Sequence, residues 1–297
     1  MIRGVYPVIQ IPLDADENID QKVLANEIEW LISKKCAGLV LAMVSEVMRF
    51  SFIERRTMWK LVLENLQGRL PLIVSVGSES TAIAVNLAQL AEADEVTALM
   101  ATPPAAFPAP ENEIYIYYKS IIQSVNIPVI IQDASNYMGQ PLAMSLYEKL
   151  LDEFGVDRVL FKPEAKPIKE RMQQLQKIAK GKAKVFEGQS GVDLLVTHPL
   201  GLAGAMPGAE IVWAVIALWD ALESNDLLKA EQIHVLISKL VVFQTSLDAY
   251  VAVEKYLLVK QGVFESVRQR GPVNFKLDQE TKNEIDLVFE QLLALLQ

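Results

Sequence analysis

Cysteine is almost missing from this chain. Cys36 is the only one among 297 residues, so no intrachain disulfide can form, and a reducing cytoplasmic setting is the simple reading. Histidine is nearly as scarce: His198 and His234 lack any metal-ligand spacing and read as structural or surface residues, so no metal site is expected. No GxGxxG, Walker, GxSxG or HExxH motif occurs. The corresponding signals of dinucleotide, P-loop, nucleophile-elbow and zincin chemistry are therefore absent, and no cofactor is expected. Apolar runs of about 18 residues are lacking too, which argues against a membrane span. The apolar stretch 208–218 is short, closes at Asp220 and reads as a buried helix. The N-terminal residues show no charged, apolar and cleavable succession, so no signal peptide is read. Basic residues are in the minority, 28 against 37 acidic, giving a formal net charge of −9 that argues against a nucleic-acid partner.

What is present is apolar and evenly mixed. With 51% hydrophobic and 22% charged residues, the chain can bury a large core without staples. Eight β-rich runs occur at 5–11, 38–44, 70–76, 96–102, 128–133, 158–164, 184–187 and 202–206. Most are nearly continuous in Val, Ile, Leu and Ala, as parallel strands covered on both faces require. Helical patterns alternate with them at 20–33, 53–66, 81–93, 112–124, 143–154, 168–179, 192–198 and 210–222. Ser80 is a candidate cap for the third, and Glu111 and Glu113 place negative charge at the start of the fourth. Eight βα units in succession predict a closed α/β fold, a (β/α)8 TIM barrel over residues 1–223. Residues 224–297 show only helical patterns, at 227–243, 246–261 and 281–296, and predict a C-terminal three-helix extension packed on the barrel.

In such a barrel, chemistry collects at the C-terminal ends of the strands. That rule selects the segments 10–12, 44–46, 77–80, 102–107, 132–137, 162–164, 188–191 and 206–210. Lys162 stands out because it interrupts an apolar strand. A desolvated lysine favours its neutral amine, the form that attacks a carbonyl. Glu164 projects to the same face as Lys162 and is a proton acceptor or charge partner. The plainer alternative is a frayed strand end whose lysine reaches solvent or pairs with Glu164. The Gly188-Gln189-Ser190-Gly191 stretch can offer backbone N–H groups to an anion or simply make a turn. Glu46 can serve the site, cap, or pair with Arg49.

Taken together, these segments resemble the dihydrodipicolinate synthase and N-acetylneuraminate lyase superfamily of class I aldolase-like enzymes. The carriers are Gly-Val-Tyr-Pro-Val at 4–8, Ser-Glu followed by Phe-Ser-Phe-Ile-Glu-Arg-Arg at 45–56, Val-Ser-Val-Gly-Ser-Glu-Ser-Thr at 74–81, Thr-Pro-Pro at 102–104 and Phe-Lys-Pro-Glu-Ala at 161–165. The resemblance covers roughly residues 3 to 295 and implies a barrel, assembly as a homo-oligomer (dimer or tetramer) and a Schiff-base role for Lys162.

The chain also departs from that pattern. The carboxylate-holding Gly-Thr-Thr-Gly-Glu corresponds to Ala42-Met43-Val44-Ser45-Glu46, the tyrosine pair after strand four to Ala105 and Ala106, and the Tyr-Asn after strand five to Gln132-Asp133. The arginine of true dihydrodipicolinate synthases has no equivalent in residues 134–139. Ile-Gln-Asp-Ala, Lys-x-Glu and Phe-Glu-Gly-Gln-Ser-Gly followed by Gly-Ala-Met-Pro-Gly are similar to 2-keto-3-deoxy-sugar-acid dehydratases, of the 2-keto-3-deoxy-L-arabonate group. Even there, Ser45 stands where a glycine is usual and is expected to crowd the carboxylate turn.

The resemblance implies a small-molecule 2-oxo acid as substrate and a Lys162 iminium as the intermediate, followed by dehydration or retro-aldol cleavage. Glu164, or a water held by Ser45, Gln132 or Asp133, is the candidate base. Val44 and Ser45 are expected at the carboxylate, Asp133 and Gln189 at hydroxyls, and Gly188 and Met206 beside them. Two other readings stay open: condensation of pyruvate with aspartate semialdehyde, and a non-catalytic paralogue that binds 2-oxo acids.

Overall fold

Eight short parallel strands close a barrel, and each is a stretch of small and branched apolar residues. The computed structural model describes residues 2–106, 109–137 and 139–296. The strands are Gly4–Val5 (β1), Leu39–Leu41 (β2), Leu72–Ser75 (β3), Ala98–Ala101 (β4), Val129–Asp133 (β5), Val159–Pro163 (β6), Phe186–Glu187 (β7) and Gly204–Ala205 (β8). β2 to β6 pair in sequence order, and β1 pairs with β8, which pairs with β7. Parallel bridges Val8–Val40 and Phe161–Val185 join the two sheets, so no edge is left open. The strands are shorter than the apolar runs that announced them, because the regular ladder ends before the apolar character does.

Alternation along the strands divides the core in two. Tyr6, Val8, Val40, Ile73, Met100, Ile130, Leu160, Phe186 and Met206 fill the barrel interior. Leu39, Leu41, Leu72, Val74, Leu99, Ile131 and Phe161 face the outer helices. Those helices are Gln21–Ser33 (α1), Phe52–Leu66 (α2), Thr81–Ala93 (α3), Glu111–Gln123 (α4), Met144–Phe154 (α5), Ile168–Ile178 (α6), Leu194–Thr197 (α7) and Val212–Glu223 (α8). Local signals start several of them. The Asp20 carboxylate accepts from the N–H groups of Lys22 and Val23 at the start of α1. Ser51 and Glu54 form a reciprocal capping box on α2. Ser80 precedes α3 as expected, but its side chain makes no capping bond. No helix among the described residues is long and apolar enough to cross a membrane.

Leu227–Val241 (α9), Leu247–Lys260 (α10) and Gln279–Leu296 (α11) follow. Residues of α9, α10 and α11 share one continuous core with the barrel's outer layer. Ten residues of α10 are buried, Asp248, Glu254 and Lys255 among them, because this helix crosses towards the barrel mouth and packs on the tight turn Met43–Ser45.

Glu27 of α1 is fully buried. It accepts the Gln10 N–H at 3.0 Å through one oxygen and leaves the other without a partner. Burial pushes its carboxyl up to about 8, against the opposing pull of the Gln10 N–H and Lys255. The folded protein therefore holds a proton that the unfolded chain releases above the ordinary carboxylate range. The associated stability is complete below about 4.5 and is lost as pH rises through about 8. Glu27→Gln should flatten this dependence, reducing the loss between about pH 5 and about pH 9 by on the order of 3 kcal/mol. Denaturant melts at the two pH values check it, and equal slopes for variant and parent would refute it.

Candidate active site

Strand β6 delivers a lysine to the inside of the barrel. Val159 and Phe161 point to the helices, Leu160 points inward, and the alternation then turns Lys162 inward as well. Lys162 is 4% exposed and its Nζ donates to Glu164 Oε1 at 2.7 Å. Gln132 stands opposite Lys162 in the β5–β6 register and donates through Nε2 to Glu164 Oε2 at 2.8 Å. Both oxygens of Glu164 are thus held, one by the amine and one by the amide. Burial pushes the Glu164 carboxyl up; Lys162 and the Gln132 bond oppose that shift.

Gly188, after β7, is what lets the lysine extend. A Cβ there would stand 2.8 Å from Lys162 Cε and 2.9 Å from both Nζ and Glu164 Oε1. Any side chain would occupy the space of the amine.

These groups open into a cavity of about 40 Å³, room for roughly three water-sized groups, that widens towards solvent. Val44, Gln132, Lys162, Glu164, Gly188 and Met206 all line it, so these six expected residues do meet at one place. Three others do not. Asp133 has the opposite parity to Gln132 and points out of the barrel, where its carboxylate accepts from the Leu142 N–H at 3.0 Å and from Arg171 at 3.2 Å. Strand alternation alone excluded it from the hydroxyl-binding role. Ser45 turns away: its hydroxyl donates to the Ile9 carbonyl at 2.6 Å and accepts from the Ala42 N–H at 3.1 Å. It ties the turn to the segment that follows β1 instead of crowding the cavity. Gln189 is replaced at the cavity wall by Ser190, a buried residue with φ of 54°.

The glycine-flanked turn at 188–191 serves the protein itself. The N–H groups of Gln189 and Gly191 both donate to the Glu187 carboxylate at 2.8 Å. Burial, with Asp193 nearby, still pushes Glu187 up to about 7. Ala105 and Ala106 donate their N–H groups to Glu79 and do not line the cavity. Phe107, in the loop 102–107 named above, and Met138, in the stretch 134–139, lie outside the described residues.

The cavity is also lined by residues not named as site residues, among them Met43, Tyr137, Leu247, Tyr250 and Glu254. The last three come from α10 and share one face through spacings of three and four. Their signal was present, since a tyrosine and a glutamate lie on an otherwise apolar stripe, but nothing in the sequence said where that stripe docks. The Tyr137 and Tyr250 hydroxyls meet at 3.2 Å, with rings edge to face at 5.5 Å. Burial pushes both phenols up, and the nearby Glu164 adds to the shift, so both remain neutral donors. His198 bonds Glu223 and meets Trp219 edge to face, and His234 bonds the Val192 carbonyl; neither lines the cavity.

A buried amine 2.7 Å from a buried carboxylate can pass its proton across and become a nucleophile. Once it has released that proton, the same carboxylate is placed to take another from whatever is bound on that nitrogen.

The model of the dihydrodipicolinate synthetase family matches residues 1–292 of this chain. A 4-hydroxy-tetrahydrodipicolinate synthase of Thermomicrobium roseum is 26% identical over 241 residues, covering 79% of this chain and 77% of that protein. An L-2-keto-3-deoxyarabonate dehydratase of Azospirillum brasilense is 23% identical over 299 residues, covering 98% of this chain and 94% of that protein. Among solved structures, the 4-hydroxy-tetrahydrodipicolinate synthase of Methylacidiphilum fumariolicum SolV superposes with a TM-score of 0.89 at 21% identity, over 100% of this chain and 97% of that one. At that identity the superposition speaks for the barrel alone.

Proposed function

Because the chain belongs to the dihydrodipicolinate synthetase family, and so is a lyase or aldolase, we propose that it captures a small 2-oxo acid as an iminium on Lys162 and dehydrates it. The observation that carries this reading is the Lys162 amine, nearly fully buried inside the barrel and 2.7 Å from Glu164.

Glu164 takes the ammonium proton, and the free amine attacks C2 of the oxo acid. Glu164 returns that proton to the carbinolamine hydroxyl, which leaves as water, and the resulting iminium draws electrons from C3. Glu164, oriented by Gln132, then removes a C3 proton. The turn at Met43–Ser45 borders the cavity through Met43 and Val44, and its backbone is the proposed seat of the substrate carboxylate. Gly188 and Met206 complete the wall beside the amine.

Departure of a C4 hydroxyl makes the enzyme a dehydratase of 2-keto-3-deoxy sugar acids, the activity in the name of the Azospirillum relative. Condensation of pyruvate with aspartate semialdehyde has less support, because residues 134–139 hold no arginine to receive the second substrate. A cytoplasmic homo-oligomer, dimer or tetramer, belongs to the same proposal.

Borohydride reduction in the presence of pyruvate should leave one reduced pyruvyl group on the protein, and peptide mass mapping should place it at Lys162. Absence of any adduct, or an adduct on a different lysine, would remove the proposal.

A further inference from the structure

A second acidic pair closes the cavity on the side of the C-terminal helices. Glu254 of α10 lines the same cavity as Lys162, and Glu210, after β8, lies buried beside it. Gly208 marks how near the two carboxyls come. A Cβ on that glycine would collide with Glu210 Oε2 and with Glu254 Oε1 together. Their remaining contacts are neutral amides. Gln244 Nε2 donates to Glu210 Oε1 at 3.2 Å, and Gln10 Nε2 donates to Glu254 Oε2. Glu210 Oε2 is buried with no hydrogen-bond partner. Among the described residues no lysine or arginine bonds either group.

Two desolvated carboxyls without a cation cannot both ionise, so at least one is held as the acid. Burial is the largest influence on each, pushing Glu210 up to about 7 and Glu254 well above the usual carboxylate range. Glu164, by contrast, sits against a cation. One cavity thus offers a carboxyl paired with an amine and a carboxyl kept protonated chiefly by burial with a second carboxyl beside it, two environments that separate a base from an acid.

We infer that Glu254 is a catalytic residue: it donates the proton that a 4-hydroxy-2-oxo acid bound on Lys162 needs at its C4 oxygen. The inference rests on the Lys162 reading above and adds the acid which that reading leaves unassigned. Glu164 takes the C3 proton from the iminium, and the electron pair moves towards C2 to give the enamine. The pair returns to form a C3–C4 double bond as the C4–O bond breaks. The Glu254 proton joins the departing oxygen, and water leaves. A second water hydrolyses the unsaturated iminium and frees Lys162. The proton held by Glu164 passes through solvent to restore Glu254, so the net change is loss of one water from the substrate.

The test uses Glu254→Gln with three probes: pyruvate, 4-hydroxy-2-oxopentanoate and its 4-fluoro counterpart. Borohydride trapping of pyruvate on Lys162 and deuterium exchange at pyruvate C3 should stay within about threefold of the parent. Dehydration of the hydroxy acid should fall by about 100-fold or more. Elimination of fluoride, which leaves as an anion, should survive, and Glu254→Asp should recover part of the dehydration. Dehydration within about threefold of the parent, or fluoride elimination lost as fully as dehydration, overturns the inference. A parent enzyme that traps pyruvate yet never dehydrates the hydroxy acid overturns it too. A parent enzyme that traps no pyruvate overturns the Lys162 reading itself, and this inference with it.

Discussion

Lys162→Ala should abolish borohydride-dependent labelling by pyruvate and reduce turnover by about 10⁴-fold or more, into the background. No other lysine of the described residues lines the cavity, so no neighbouring amine can substitute. The variant also separates the enzyme reading from that of a non-catalytic binder. An enzyme working through an iminium loses both label and turnover, whereas a binder that merely encloses the oxo acid keeps its affinity. Calorimetric titration of pyruvate alongside the trapping assay makes that comparison. Unchanged pyruvate affinity in Lys162→Ala, with no adduct in the parent, would sink the iminium mechanism. Removing the cation also leaves Glu164 buried with only Gln132 for company, so the carboxyl must take up a proton.

Lys255→Met should be the most destabilising single change short of the core. Lys255 of α10 is fully buried, its Nζ 2.6 Å from Glu46 Oε2 and 2.6 Å from the Arg268 carbonyl. Glu46 also accepts the Arg270 N–H at 2.8 Å and faces Arg49 at 3.4 Å. Glu46 itself sits at φ 56°, left-handed, directly after the turn that lines the cavity. Of the roles the sequence left open for Glu46, pairing with Arg49 is present, and the buried pair with Lys255 is the closer contact. Loss of the lysine leaves Glu46 Oε2 buried without its cation, with only the longer Arg49 contact and the Arg270 N–H on the other oxygen, which costs about 3 kcal/mol. For a chain of this length that lowers Tm by roughly 10 °C. Glu46→Gln combined with Lys255→Met should be less destabilising than the sum of the two single changes, because the buried charge that lost its closest partner is gone. Thermal melts of the four proteins measure the coupling. A Lys255→Met protein melting with the parent would show that the pair does not hold the tail to the barrel.

Most of the barrel was legible along the chain. Apolar runs covered on both faces announced the strands, and three-and-four spacing announced the helices, because both patterns are local consequences of backbone geometry. Parity along β5 and β6 was enough to bring Gln132, Lys162 and Glu164 together and to turn Asp133 outward, although Asp133 was first assigned to the cavity. The loops were less legible. Ser45 and Gln189 lie in the right segments, but which atoms of a turn face a ligand depends on dihedral angles that residue type does not specify.

The sequence by itself determined a closed barrel with Lys162 and Glu164 on one face at the end of the sixth strand, since period-two alternation allows no other shared face, and it left their burial open. Only the tertiary structure decided what stands across from them. Tyr250 and Glu254 lie 88 and 92 residues beyond Lys162 in the chain, and α10 carries them to the cavity by packing on the turn Met43–Ser45. Such a contact is set by the shapes of two distant surfaces and by one buried ion pair, and no local pattern records it.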